Sequence, residues 1–407
     1  MPNSPHFDLA VIGGGPAGTS AAITAARAGR RVVLCEAHDF PRHKVCGEFV
    51  SPEALEVLSE LLSGPPLMPP SAPSKAGLGD LSARDRAVHP LLKASSVIDR
   101  TRLWWGNRMI EAPVSPSALG ISRYSLDATL WAAARAAGVQ CNAQCEVLAV
   151  DGSRAFHLRT PAGGITARAV IVAAGRWSRF TADRTLPPGS KWIGLKAHFY
   201  ERCPSLSTDL YFFANGYCGV QPVSKDVVNA CAMVRSDRAT AMPEVFGLHP
   251  ALASRAATWV PVTEAVSTAP LIYRQPQPAR DNIVFAGDAA GFIDPFVGDG
   301  ISIALRSGRL AAECLGQFLM GKGALEQSVS AYQLEYSRQF APLLSVASRV
   351  RSLLSLPGFA QAVAFELLRL PGMMPLLIRK TRQVAPDDHS RRIRLLAANL
   401  PNSGRLW

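Results

Sequence analysis

The 407 residues contain no Cys-x-x-Cys pair, no Cys/His spacing of a zinc site and no internal repeat, which sets aside zinc modules and solenoids. The eight cysteines stand apart at 35, 46, 141, 145, 203, 218, 231 and 314, a pattern expected of free thiols in a reducing compartment. Met1 leads through a short polar stretch into a buried-strand pattern with no charged n-region and no long apolar h-region, so export is not expected and the cytoplasm is. Charged residues are scarce at 18%, and acids are scarcer than bases, 31 against 43, for a net charge of +12. That balance favours anionic partners such as cofactor phosphates or anionic lipid. Lys and Arg are scattered and no nucleic-acid fold signature accompanies them, so nucleic-acid binding is not expected. A clean membrane span is also missing. Leu353 to Ile378 is rich in Leu, Phe and Met, but Pro357-Gly358, Pro371-Gly372, Glu366 and Arg369 interrupt it. It reads first as a helical cap buried on the protein. The alternative is an amphipathic, peripheral membrane contact, with Arg379, Lys380, Arg382, Arg391, Arg392 and Arg394 just beyond.

With 48% hydrophobic residues, a chain of this length supports two or three cores. Phe7 to Ile12 is a short apolar run ending in Gly13; a small-residue helix from about Pro16 to Ala28 is closed by Gly29, and a second strand, Arg31 to Cys35, ends at Glu36. This is a βαβ opening. Ser51 caps a helix starting at Pro52, and Gly64 to Gly79 reads as an irregular loop. Val97 to Val114 predicts a hairpin turning near Gly106-Asn107, and Ser125 to Gly138 a helix. Asp151-Gly152 predicts a type I′ turn between strands. The aromatic and β-branched enrichment of residues 191–234 predicts a second, β-rich domain. Ile283 to Ala286 returns to an α/β pattern, and from Ser330 the reading is helical.

Gly13-Gly14-Gly15-Pro16-Ala17-Gly18 fits G-x-G-x-x-G between a strand and a helix. Gly13 permits the tight turn, Gly15 lets a pyrophosphate approach the backbone, and Gly18 lets helix pack closely on strand. The helix N-terminus supplies free N–H groups to phosphates, and Glu36 supplies a carboxylate for ribose hydroxyls. The motif leaves NAD and FAD both open. In Asn282 to Gly308, NIVFAGDAAGFIDPFVGDGISIALRSG, Asp288 directly after a strand can hold a ribityl hydroxyl, and Gly298 and Gly300 let a helix N-terminus face a flat ring edge. Two such distant elements imply one long cofactor, FAD.

With these pieces the chain resembles the FAD-dependent superfamily that includes para-hydroxybenzoate hydroxylase, the flavin halogenases and the geranylgeranyl reductases, over roughly residues 7 to 320. The matching segments are GGGPAG, Glu36, Phe40 to Gly47 (FPRHKVCG), Gly120 to Leu130, Ala173 to Arg179 and GDAAG…PFVGDGI. The reductase branch is nearest, through Lys44-Val45-Cys46-Gly47. The resemblance implies an α/β fold: a discontinuous, glutathione-reductase-like Rossmann FAD domain (1–70, 112–186 and 278–330), interleaved with a β-sheet substrate domain (71–111 and 187–277) and followed by C-terminal helices (331–407). It implies cofactor contacts from Gly13, Gly15, Ala17, Gly18, Glu36, Arg42, Cys46, Gly47, Arg123, Gly175, Asp288, Pro295, Gly298, Gly300 and Ile301. Asp294 and Asp299 flank the flavin loop, as ligand groups or simply as caps.

For catalysis the candidates are Cys46, His198 and Tyr217. Cys46 is either a flavin-proximal thiol or a small buried hydrophobe, and His198, alternating with apolar neighbours, is more often a packing residue than a base. Two departures stand out. The usual Asp-Gly of the second phosphate motif is Ala174-Gly175, so reduction by NADPH or NADH is expected to be slow or to need a separate reductase. The reductases' Tyr-x-Trp-x-Phe-Pro cover segment is Tyr217-Cys218-Gly219-Val220-Gln221-Pro222, without its two large apolar side chains. The first expectation is therefore a monooxygenase that hydroxylates or epoxidises a hydrophobic aromatic, polyketide or isoprenoid-bearing secondary metabolite through a flavin hydroperoxide. Reduction of an isoprenoid C=C bond is the alternative, and a non-catalytic lipid-binding relative of the fold is a third.

Overall fold

The computed structural model describes residues 6–63, 89–153, 155–181, 192–268, 271, 275–292, 298–354, 363, 365–370 and 372–373. Along the chain, β1 (His6–Ile12) leads through the glycine loop to α1 (Pro16–Arg27) and β2 (Val32–Cys35). Then come β3 (Phe49–Val50), α2 (Pro52–Leu62), α3 (Pro90–Ala94), β4 (Ser96–Trp105), β5 (Arg108–Gly120) and α4 (Arg123–Ala136). Short strands β6 (Gln140–Asn142), β7 (Ala149–Asp151) and β8 (Phe156–Thr160) precede β9 (Gly163–Val172). The next block is all strand: β10 (Trp192–Tyr200), β11 (Ser207–Phe213), β12 (Gly216–Ser224) and β13 (Val227–Arg235). After α5 (Met242–Gly247), α6 (Pro250–Ala256), β14 (Val260–Pro261), β15 (Val266–Ser267), β16 (Ala279–Arg280) and β17 (Ile283–Phe285), two long helices follow, α7 (Gly300–Leu319) and α8 (Leu325–Leu354).

The first sheet has the order β16-β17-β9-β1-β2-β6, with β7 and β8 as an antiparallel flap on β9. Its central pairs are parallel. Strands covered on both faces need apolar side chains throughout, which is why β1 and β2 read as unbroken hydrophobic runs. Helix α1 is built of small residues, and Ser20 donates to the Leu305 carbonyl of α7 at 2.7 Å, so the two helices pack closely over the sheet. In such sheets ligands gather outside the carboxyl ends of the strands. Here those ends carry Gly13 after β1, Glu36 after β2, Ala173 to Gly175 after β9 and Gly287-Asp288 after β17.

The second sheet runs β14-β10-β13-β12-β11-β4-β5-β3, with β15 also on β10, and is antiparallel except where β11 lies parallel to β4. One face carries a core with α5 and α6, including Leu195, Phe199, Val220 and Val245. The other face, with Leu103, Phe212, Tyr217 and Met233, turns to the ligand cavity and to Phe365 of the C-terminal segment. The hairpin turns at Gly106-Asn107 as expected, but β5 continues to Gly120 within the second sheet, so the expected domain boundary at 112 falls inside a strand. Nor is Asp151-Gly152 a two-residue type I′ turn: β7 ends at Asp151 and β8 begins only at Phe156. A Cβ on Gly152 would stand 2.1 Å from the Ala155 carbonyl oxygen, so close backbone approach in a longer connection explains that glycine. The expected loop 64–79, Asp294 and Pro295, and Arg379, Lys380, Arg382, Arg391, Arg392 and Arg394 lie outside the described residues. Among the described residues no helix is long and apolar enough to cross a membrane.

Candidate functional site

A cavity of about 880 Å³ opens at the carboxyl ends of the first sheet and extends under the free face of the second. It is near the top of the roughly 300–1,000 Å³ range of ligand sites. Fourteen of the expected residues line it together: Gly13, Gly15, Ala17, Glu36, Arg42, Cys46 and Gly47 from the first part of the chain, and Arg123, Gly175, Tyr217, Asp288, Gly298, Gly300 and Ile301 from the rest. Gly18 does not, because it serves packing: a Cβ there would sit 1.8 Å from the Gly13 carbonyl oxygen. Gly13 has φ 105°, a left-handed conformation that glycine reaches without strain.

The phosphate end of the site is built around Glu36. Its Oε2 accepts the Gly14 N–H at 2.7 Å, and its Oε1 accepts the His38 N–H at 3.0 Å and Arg42 Nη1 at 2.6 Å. Burial pushes this carboxyl up, but the Arg42 hydrogen bond and charge and the Gly14 N–H outweigh it and hold it down to about 2. Arg42 Nε and Nη2 are buried without a partner. Lys44 is drawn down to about 8 by lost hydration and by the neighbouring cations Arg42 and Arg123. Cations crowded together with unused donors are the complement of an anion, and a Cβ on Gly15 would meet nothing nearer than Arg123 Nη2 at 3.8 Å. The donors, the open backbone and the N-terminus of α1 fit a pyrophosphate. Asp288, exposed in the cavity wall, and the N-terminus of α7 line the same cavity, and a Cβ on Gly287 would stand only 2.9 Å from the Ala17 Cβ.

The loop Lys44 to Gly47 lines the same cavity, and two residues that were not expected, Asn229 and Glu48, secure it. Asn229 of β13 is fully buried and donates through Nδ2 to the Cys46 and Gly47 carbonyls at 3.0 and 2.9 Å. Glu48, at φ 61° and fully buried, accepts the Arg123 N–H at 2.6 Å, Lys196 Nζ at 2.5 Å and His198 Nε2 at 2.6 Å. Burial raises the Glu48 carboxyl, but the His198 hydrogen bond and the Lys196 charge outweigh it and leave it below the usual range. His198 does not line the cavity: it is tied to Glu48, with its ring edge-on to His43, which does. Arg123 spends its side chain on Asp127, at 2.7 Å from both Nε and Nη2. Cys46 Sγ accepts the Glu48 N–H at 3.3 Å, and burial pushes its thiol up, so it stays protonated at neutral pH. Lys196 and Asn229 carry a sequence signal in hindsight: each interrupts a largely apolar strand, Lys196 together with His198 in β10 and Asn229 in β13. Among the described residues no cluster could hold a metal ion.

Residues 8–41 match a family model described as FAD dependent oxidoreductase. Curated relatives include a menaquinone reductase of Mycobacterium tuberculosis, 29% identical over 94% of this chain and 92% of that protein. Digeranylgeranylglycerophospholipid reductase 2 of Methanopyrus kandleri is 24% identical over 86% of this chain and 87% of its own. Among solved structures, a flavin-dependent brominase superposes with a TM-score of 0.73 over 93% of both chains at 20% identity, a likeness of fold. The glycine loop with Glu36 and the Asp288 turn line one cavity, and with these relatives they make the chain similar to the FAD-dependent oxidoreductases.

Proposed function

We propose that the protein reduces a carbon–carbon double bond in the prenyl tail of a lipid, in preference to the oxygen insertion expected first from the sequence. The observation that carries this reading is the position of the Cys46-Gly47 loop, which lines the same cavity as both the dinucleotide cradle and the apolar residues Leu103, Leu210, Met233 and Leu271. An extended apolar chain laid on that face of the second sheet passes beside the loop. The full-length relatives named for reduction of menaquinone and of digeranylgeranylglycerophospholipid support the same choice. Bound and reduced, FAD supplies a hydride to one alkene carbon. The other carbon takes a proton, and Cys46, whose thiol burial keeps protonated, lies on this wall. Asn229 and Glu48 hold the loop so that neither it nor the lipid shifts during the transfer. The electron donor is NADPH, NADH or a separate reductase, with Ala174 in place of the customary Asp favouring the last.

Oxygen insertion keeps one observation on its side: Gly219 and Gln221 stand where the prenyl reductases' cover segment has its large apolar side chains. Anaerobic stopped-flow mixing of chemically reduced holoprotein with prenyl-tailed lipids that carry no quinone ring separates the two. The reductase reading expects flavin reoxidation under argon; reoxidation that requires oxygen would overturn it.

A further inference from the structure

Phe365 is buried in a cluster with Leu103, Tyr217, Met233 and Leu271, all four of which line the cavity, and Leu368 packs against the same cluster. Residues 363 and 365–368 are helical, so Phe365 and Leu368 share one side and Val363 and Leu367 the other. Leu370 and Met373 continue the outer row in steps of three. Val363, Leu367 and Leu370 are each more than half exposed, and Met373 is exposed as well. A single exposed Leu is ordinary, but a row of apolar side chains at helical spacing marks an interaction surface.

The row is edged with cations. Arg108, at the turn between β4 and β5, holds Glu366 at 2.6 Å, and the adjoining Met109 is exposed beside it. Arg369 reaches the second oxygen of Glu366 at 3.1 Å. Both guanidinium groups are more than half exposed, two positive charges against one carboxylate. Beyond Met373 the sequence carries seven Lys and Arg against Asp387 and Asp388, within a net charge of +12. A second copy of the chain would set these cations against themselves, whereas an anionic lipid surface complements both the apolar row and its charged edge.

We propose that Val363, Leu367, Leu370 and Met373, with Met109 beside them, enter the acyl boundary of an anionic bilayer while Arg108 and Arg369 stay at its phosphates. The cap on the cavity and the membrane contact are then two sides of one segment. The proposed function gives this surface a use, since a prenyl lipid leaving the bilayer would meet the apolar wall that Phe365 packs on, but the contact does not depend on which reaction the flavin performs.

The test reads binding. Holoprotein is centrifuged with sucrose-loaded vesicles of phosphatidylcholine alone, or of phosphatidylcholine with about 30% phosphatidylglycerol. It is expected to cosediment with the anionic vesicles, far less with the neutral ones, and to be released as NaCl is raised to about 0.5 M. Leu367→Asp combined with Leu370→Asp should weaken binding to anionic vesicles about tenfold or more. FAD content and melting temperature should stay as in wild type, because both side chains point away from the core. Should that pair fold poorly, Leu367→Ser with Leu370→Ser takes its place with the same direction of effect. Failure of the wild type to cosediment, equal binding to both kinds of vesicle, or unchanged binding by the double variant would overturn the assignment. So would a wild-type dimer that the double variant turns into a monomer in sedimentation velocity, since a second copy would then cover the row. Vesicle binding that depends on Leu367 and Leu370, in a protein that leaves prenyl tails unreduced, would remove the proposed reaction and leave this inference standing.

Discussion

Glu48 accepts Lys196 and His198 from 148 and 150 positions away, in a space that excludes water. Removing one partner of a buried charge pair strands the other, at a cost of about 3–5 kcal/mol. Glu48→Gln is therefore expected to lower stability by that order, measured by urea denaturation of the holoprotein. A carboxylate held below its unfolded pKa stabilises the fold above the unfolded value and loses that contribution as pH falls toward the folded one. For Glu36 the window lies between 4.5 and about 2. Glu48 adds loss below 4.5, so melting temperature should fall in acid and the Glu48→Gln variant should fall less steeply. Lys44 gives the opposite signature: at about 8 it is partly deprotonated in mildly alkaline solution, and a bound pyrophosphate would raise it again. Calorimetry of FAD binding to apoprotein at pH 8.5–9 in buffers of different ionisation enthalpy should show proton uptake, absent in Lys44→Met. None of these partnerships was legible beforehand. A single Glu after Cys46-Gly47, or a Lys in an apolar strand, names its residue but not the partner that folding brings from far along the chain.

At the scale of elements, contact between α1 and α7 decides how the glycine loop and the N-terminus of α7 sit together in the cavity wall. A Cβ on Gly308 would stand 2.0 Å from the Ala17 carbonyl oxygen, a rigid backbone atom. Gly308→Ala should push α7 from α1, cost on the order of 1–3 kcal/mol through overpacking, and reduce FAD content of the purified protein. Gly316→Ala, with nothing within 4 Å of the new Cβ, should leave FAD content unchanged and add up to about 1 kcal/mol through helix propensity. Equal effects of the two would refute this view of the helix pair. The βαβ opening, the 106–107 hairpin turn and the Asp288 turn were readable because local periodicity and turn residues determine them. The extension of β5 to Gly120 and the parallel pairing of β4 with β11 were not, since a strand's partner is set by the sheet it joins.

For the whole molecule, the chain crosses between two sheets several times, and the cavity lies where the parallel strands of one end beneath the open face of the other. The cofactor half of that cavity could be read from motifs, because phosphate recognition uses glycines and a carboxylate at fixed spacing. The substrate half could not: it depends on which face of β12 turns inward, and so whether Gly219 and Gln221 are neutral losses or parts of a site. Product mass tests the central claim most directly. Holoprotein, a chemical reductant and a prenyl-tailed naphthoquinone under argon, with the ring reoxidised to the quinone before mass spectrometry, should give a product two hydrogens heavier in its tail, in the same yield when labelled oxygen is admitted with the reductant in excess. A product one labelled oxygen atom heavier, formed only in air and never under argon, would contradict the account.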